Sequence, residues 1–201
     1  RTFCEKHGII AYTSGCITLT FPKRFNTPSI PKTFIIHGKG AGDIPESLLS
    51  FAPPNIIRQA ELILQRLPMH IFPLGESESN QADQFALNLL ERYRNEATLV
   101  ITPLLHAACP CIALGIPVIL ARKDYDSRFT AISRLLPVYT PEHFNNINWN
   151  PDVVNVENIK AHMIALIKHL IEEIPKKHFH ANSLNSVYAA NEKLVYRSKL
   201  Q

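Results

Sequence analysis

The sequence is short of several things, and each shortage excludes a class of function. No uninterrupted apolar run in its 201 residues approaches the roughly 18 that a membrane-spanning helix requires, so no transmembrane segment is expected. The opening stretch, RTFCEKHGII, lacks the apolar h-region of a signal peptide, and none is expected. The formal net charge is only +4 and the cations are scattered. That balance suits an anionic small molecule and argues against nucleic acid as the partner. The four cysteines (Cys4, Cys16, Cys109 and Cys111) have no metal-ligand spacing. They read as reduced thiols of a cytosolic protein, with no metal site expected. There is no internal repeat and no low-complexity segment. The glycine-bearing stretch HGKGAG (37–42) matches neither a phosphate-binding P-loop nor a dinucleotide fingerprint, and reads as a flexible loop after a strand.

What is present is a well-patterned α/β chain. With 46% hydrophobic and 19% charged residues it can bury a sizeable core. Residues 2–7 read as the end of a helix stopped by Gly8, and 9–21 as two short strands broken at Ser14-Gly15. PKRFNTPSIPK (22–32), with three prolines, reads as a hinge or domain boundary. Beyond it, strands are expected at 33–37, 69–74, 98–102, 117–121 and, shorter, 137–140. Between and after them the apolar spacing predicts helices over 55–67, 81–95, 104–114, 127–136 (with Ser127 as N-cap) and 157–173, and a further helix over 181–200. Strands alternating with helices predict a Rossmann-like open parallel sheet covered on both faces.

The carboxyl ends of such strands are where ligands bind. Thr102 is the expected N-cap of the helix that follows strand 98–102, with Pro103 at its first position. His106 then falls in the opening turn, beside backbone N–H groups that favour an anion. The alternative is a packed histidine bonded to a neighbouring carbonyl. The next strand leads into Arg122, Lys123 and Arg128, which read either as an anion grip or as a solvated loop ion-paired to Asp124 and Asp126.

Three segments carry a family resemblance. VITPLLHAACPCIALGIPVI (100–119) resembles the signature of the polysaccharide pyruvyl transferases: a strand ending Ile-Thr-Ser, then Arg-Leu-His-Ala, an alanine-rich helix with a proline, and Gly-x-Pro-Val. AYTSGCITLTF (11–21) is similar to that family's Ser-Gly-Cys-Leu-Thr-Leu-Thr element, and DSRFTAISRLL (126–136) to its Ser-Arg-Phe segment. Their order and spacing fit over roughly residues 4–170. The resemblance implies one half of a GT-B-like architecture. Residues 1–22 would end an N-terminal domain whose greater part lies outside this chain. Residues 23–32 would be the hinge, 33–175 the Rossmann-like C-terminal domain and 176–201 a helical tail.

The activity implied is transfer of a pyruvyl group from phosphoenolpyruvate to a sugar hydroxyl of a cell-surface or exopolysaccharide glycan. The donor is a substrate and no cofactor is needed. The setting implied is cytoplasmic, at or near the inner face of the membrane. His106 takes the catalytic place, and Leu105, Arg128, Ser127 and Lys123 are the implied substrate contacts. One departure touches the site: the family's arginine is Leu104 here, with Lys123, Arg122 and His37 as candidates to replace it. Two other readings stand beside this one: a GT-B glycosyltransferase using a nucleotide sugar, and a non-catalytic truncated relative.

Overall fold

The computed structural model describes residues 6–7, 15–40, 43–66 and 75–173. It divides into two compact units, Pro22–Val154 and a second made of Arg1–Phe21 with Asn155–Gln201.

The larger unit is a five-stranded, all-parallel sheet. Its strands are β1 (Thr33–His37), β2 (Ala60–Leu64), β3 (Leu99–Thr102), β4 (Val118–Ala121) and β5 (Val138–Tyr139), in the spatial order β2-β1-β3-β4-β5. Its helices are α1 (Pro54–Arg58), α2 (Glu76–Glu96) and α3 (Leu105–Ala113). The expected α/β class, open parallel sheet and helical cover are therefore present. β3 and β4 are buried at every position, as near-continuous apolar runs in a sheet covered on both faces must be.

Alternate strand residues serve opposite layers. Ile35, Leu99, Ile101, Ile119 and Ala121 pack with Leu48, Phe144 and Ile147. In this layer Phe51 meets Phe144 edge-on at 6.2 Å between ring centroids. On the opposite face Phe34 meets Tyr93 of α2, again edge-on at 6.2 Å. Each buried aliphatic or aromatic side chain contributes roughly 1.5–3 kcal/mol through removal from water. Helix α3 is buried from Ala107 to Ala113 and packs against β3, β4 and α2. It ends in a Schellman motif: Ile116 N–H reaches Cys111 O and Gly115 N–H reaches Ile112 O, both at 3.0 Å, with Gly115 at φ +75°.

Several expectations change. The helix expected over 55–67 is the short α1 followed by β2. Apolar residues at 56, 60, 63 and 64 fit a helical face, but pairing of 60–64 with β1 overrides that local pattern. The helix expected over 127–136 is two 3-10 turns, Ser127–Phe129 and Ile132–Arg134. Asp126, not Ser127, is the N-cap, its carboxylate accepting from Arg128 N–H at 2.8 Å. The expected strands at 69–74 and 9–14, and the helix at 181–200, lie outside the described residues; of 2–7 only 6–7 are described.

In the smaller unit, Ile17–Thr20 is a 3-10 turn where a strand was expected. It packs against α4 (Glu157–Glu173), which buries Ile159, Met163 and Leu166. Gly15, at φ +82°, lies against Met163.

Candidate functional site

The strand order puts a topological switch between β1 and β3: the chain leaves β1 for β2 on one side and returns to β3 on the other. In open α/β sheets the connections then diverge and leave a crevice beyond the carboxyl ends of those two strands. His37 closes β1 and Thr102 closes β3.

The turn after β3 is built from its sequence. Pro103 holds Thr102 extended, so the strand persists to that residue. The Thr102 hydroxyl then accepts from Leu104 N–H at 3.1 Å. Leu104, extended at φ −97° and ψ 124°, is the N-cap, and Ala107 and Ala108 N–H both bond its carbonyl. The helix therefore starts two residues later than Thr102 as cap and Pro103 as first position would place it. His106 is the second helical residue and is exposed, and Leu105 is half-buried. The N–H groups of Leu105 and His106 belong to the open first turn, where an anion is favoured.

Across the switch, the His37 ring places Nδ1 2.9 Å from Gly38 O and 3.5 Å from an Asp43 carboxylate oxygen. The other Asp43 oxygen accepts from Gly40 N–H at 3.0 Å. Gly40 has φ +65°, a conformation glycine adopts without strain. The loop after β1 thus carries its own acid beside His37.

The cations after β4 have separate fates. Arg122 is buried. Its Nη1 donates to Pro103 O at 2.5 Å and its Nε to Asp124 O at 3.1 Å. Its guanidinium lies 3.8 Å from the centroid of the Phe129 ring. It welds the turn after β4 to the turn before α3, so its charge is spent on protein carbonyls. Arg128 is 72% exposed and forks onto Asp126, with Nη2 at 2.6 Å and Nε at 2.8 Å from one oxygen. The Arg128 side chain, then its backbone N–H, hold the Asp126 carboxyl at about 2. The solvated ion pair considered for this loop is thus present, between Arg128 and Asp126. Lys123 and Ser127 are exposed on the same connection.

One residue at this edge was not singled out in the sequence. Gln65, just past β2, donates through Nε2 to His106 O at 3.4 Å, and its Oε1 accepts from Tyr93 OH at 3.0 Å. Its backbone N–H also extends the β1–β2 ladder to His37 O at 2.8 Å. Reading 55–67 as one helix hid it; the signal that could have exposed it is the proline four residues after His106.

Among the described residues no group of three or more His, Cys, Asp or Glu side chains could hold a metal ion, and no helix is long and apolar enough to cross a membrane. Cys109 and Cys111 are buried and Cys16 is half-buried. No protein-family model, curated protein or solved structure matches the chain. The site stands on its geometry: an exposed imidazole, open helix-start amides, a half-buried leucine and an exposed lysine at the carboxyl edge of a parallel sheet. Such a set can bind an anionic group and pass a proton to or from it.

Proposed function

We propose that this carboxyl edge is the donor side of a site that transfers the pyruvyl group of phosphoenolpyruvate to a glycan sugar. The observation that carries the reading is the position of His106: exposed, in the opening turn of α3, beside the β1/β3 switch, within a segment resembling the pyruvyl transferase signature. In the reaction a proton is added to the donor's methylene carbon, making it a methyl group and leaving an oxocarbenium-like centre. A sugar hydroxyl forms a C–O bond there and loses its proton. Phosphate departs with the bridging oxygen, and a second hydroxyl closes the ketal, its proton leaving with the phosphate. His106 supplies or relays the proton. The amides of Leu105 and His106, with Lys123, receive the donor's anionic groups, joined by Arg128 once it leaves Asp126, and Ser127 offers a hydroxyl on the same loop. Leu105 lies against the donor's apolar edge.

Leu104 stands where the resemblance calls for arginine, and Arg122 is committed to Pro103 and Asp124. This reading therefore expects weak donor binding, tightened by Leu104→Arg. The test is calorimetric titration with phosphoenolpyruvate, inorganic phosphate and a nucleotide sugar, on the chain and on His106→Ala. The expected order is phosphoenolpyruvate tightest, with loss of that preference in the variant. Preference for the nucleotide sugar would replace this reading by a glycosyltransferase. Indifference to all three would leave a binding-incompetent relative.

A further inference from the structure

Helix α3 contains a proline where a donor would otherwise be. In an α-helix the carbonyl of residue i accepts from the N–H of residue i+4. For His106 that residue is Pro110, which has no N–H and whose ring also crowds the carbonyl it faces. The His106 carbonyl is thus orphaned by covalent structure, inside the turn that presents the imidazole. At this exposed position its donor comes from solvent or from a side chain.

Gln65 offers such a side-chain donor. It belongs to the end of β2 and reaches α3 from the other side of the switch, with Nε2 3.4 Å from His106 O. Its amide could be turned either way, and two neighbours agree on one orientation. The carbonyl of His106 only accepts, so it requires the NH2 end. Tyr93 OH, 3.0 Å from the other end, is a phenol that burial keeps protonated, so it donates and requires the oxygen end. Tyr93 is itself fixed, 1% exposed and packed on Phe34.

From this we infer that Gln65, oriented by Tyr93, is a positioning residue for His106, standing in for the helix bond that Pro110 removes. It ties three elements around the switch to one another, since its own backbone N–H is bonded to His37 O at the end of β1. The inference rests on the reading of His106 as the working side chain, but its link to Pro110 can be measured without turnover.

The experiment is a double-mutant cycle between Gln65→Leu and Pro110→Ala, with Tyr93→Phe as a variant that keeps the ring in the core. Two readouts are taken: the NMR shifts of the His106 carbonyl carbon and ring protons, and the dissociation constant for phosphoenolpyruvate. Gln65→Leu is expected to move the His106 signals and weaken binding about 10-fold, as small misplacements in a site do. Tyr93→Phe moves them in the same direction by less. Pro110→Ala returns an N–H to the helix, so Gln65→Leu on that background changes the signals little and the affinity less than about two-fold. Equal effects of Gln65→Leu in both backgrounds, or unchanged His106 signals in Gln65→Leu alone, would overturn the inference. If no form binds phosphoenolpyruvate, the pyruvyl reading fails, and the NMR cycle still decides the role of Gln65.

Discussion

The two edges of the sheet use charge in different ways. At the amino edge, charges neutralise one another. Lys32 bridges Glu61 at 2.7 Å and Glu96 at 2.6 Å, and Arg92 bridges Glu61 at 2.5 Å and Glu96 at 3.2 Å. Both cations sit about 5 Å from the centroid of the Phe34 ring. Arg24 is buried and donates to Ala97 O at 2.5 Å, drawing the proline-rich segment against the sheet. At the carboxyl edge the charge pairs are local to one loop, Arg128 with Asp126 and His37 beside Asp43, while Arg122 and Gln65 reach between elements to the backbone carbonyls of Pro103 and His106. The first arrangement consumes its charges in a closed network. The second fixes the backbone and leaves His106 and Lys123 facing outward. That difference is what makes one edge structural and the other a candidate site.

The sharpest way to break this comparison is His106→Ala. On the proposed chemistry, turnover of phosphoenolpyruvate falls roughly 10²–10⁴-fold, the range of one general acid or base. The melting temperature stays within about one degree, since an exposed surface substitution costs little. Undiminished turnover, or a large loss of stability, would make the carboxyl edge structural too. Next in size is Arg122→Met, which keeps an apolar stem on Phe129 but leaves Pro103 O without its donor. The expected loss is about 1–3 kcal/mol in urea unfolding. A neutral result would mean the weld between the two turns is dispensable.

At the amino edge, Gly115→Ala places a side chain at φ +75°, where its Cβ would meet the Lys23 stem at 3.0 Å. The expected cost is about 1–2 kcal/mol, with α3 fraying from its C-terminus in hydrogen exchange. His106 at the other end should keep its NMR shifts if the edges are independent. The smallest effect belongs to the ionic network. Hydrogen bonds from Lys32 and then Arg92 hold the Glu61 carboxyl below its ordinary 4.5, and those from Arg92 and then Lys32 do the same for Glu96. Because the folded values are depressed, the stabilisation is complete above 4.5 and drains away as pH falls through the folded values. Glu61→Gln with Glu96→Gln should lose about 0.2–1 kcal/mol per pair near neutrality. It should also flatten the acid limb of a stability-versus-pH curve measured by urea unfolding. An unchanged limb would assign the acid sensitivity to other carboxylates.

Much of this molecule was legible in its sequence, for identifiable reasons. The nearly uncharged apolar runs at 33–37 and 98–102 suited central strands because a sheet covered on both faces buries every position, and the stretches at 81–95 and 157–173 repeated their apolar residues with the helical period. His106 could be placed in the opening turn of a helix after a strand because Thr-Pro punctuates the chain there. The sequence misled where local pattern and tertiary pairing disagreed. Residues 60–64 fit a helical face equally well, and only β1 alongside them makes them a strand.

Tertiary structure alone decided what each cation does. Sequence proximity grouped Arg122, Lys123 and Arg128 as one basic cluster. The fold turns Arg122 inward onto a carbonyl 19 residues away in sequence, locks Arg128 on its neighbour Asp126, and leaves Lys123 outside. Pro110 is visible in the sequence as a missing donor. That Gln65, 41 residues before His106, fills the gap follows only from the parallel order β2-β1-β3, which brings the ends of distant strands to one edge. Periodicity is a property of the chain and can be read along it; the partner of a hydrogen-bonding group is a property of the packed layers, and the chain by itself does not contain it.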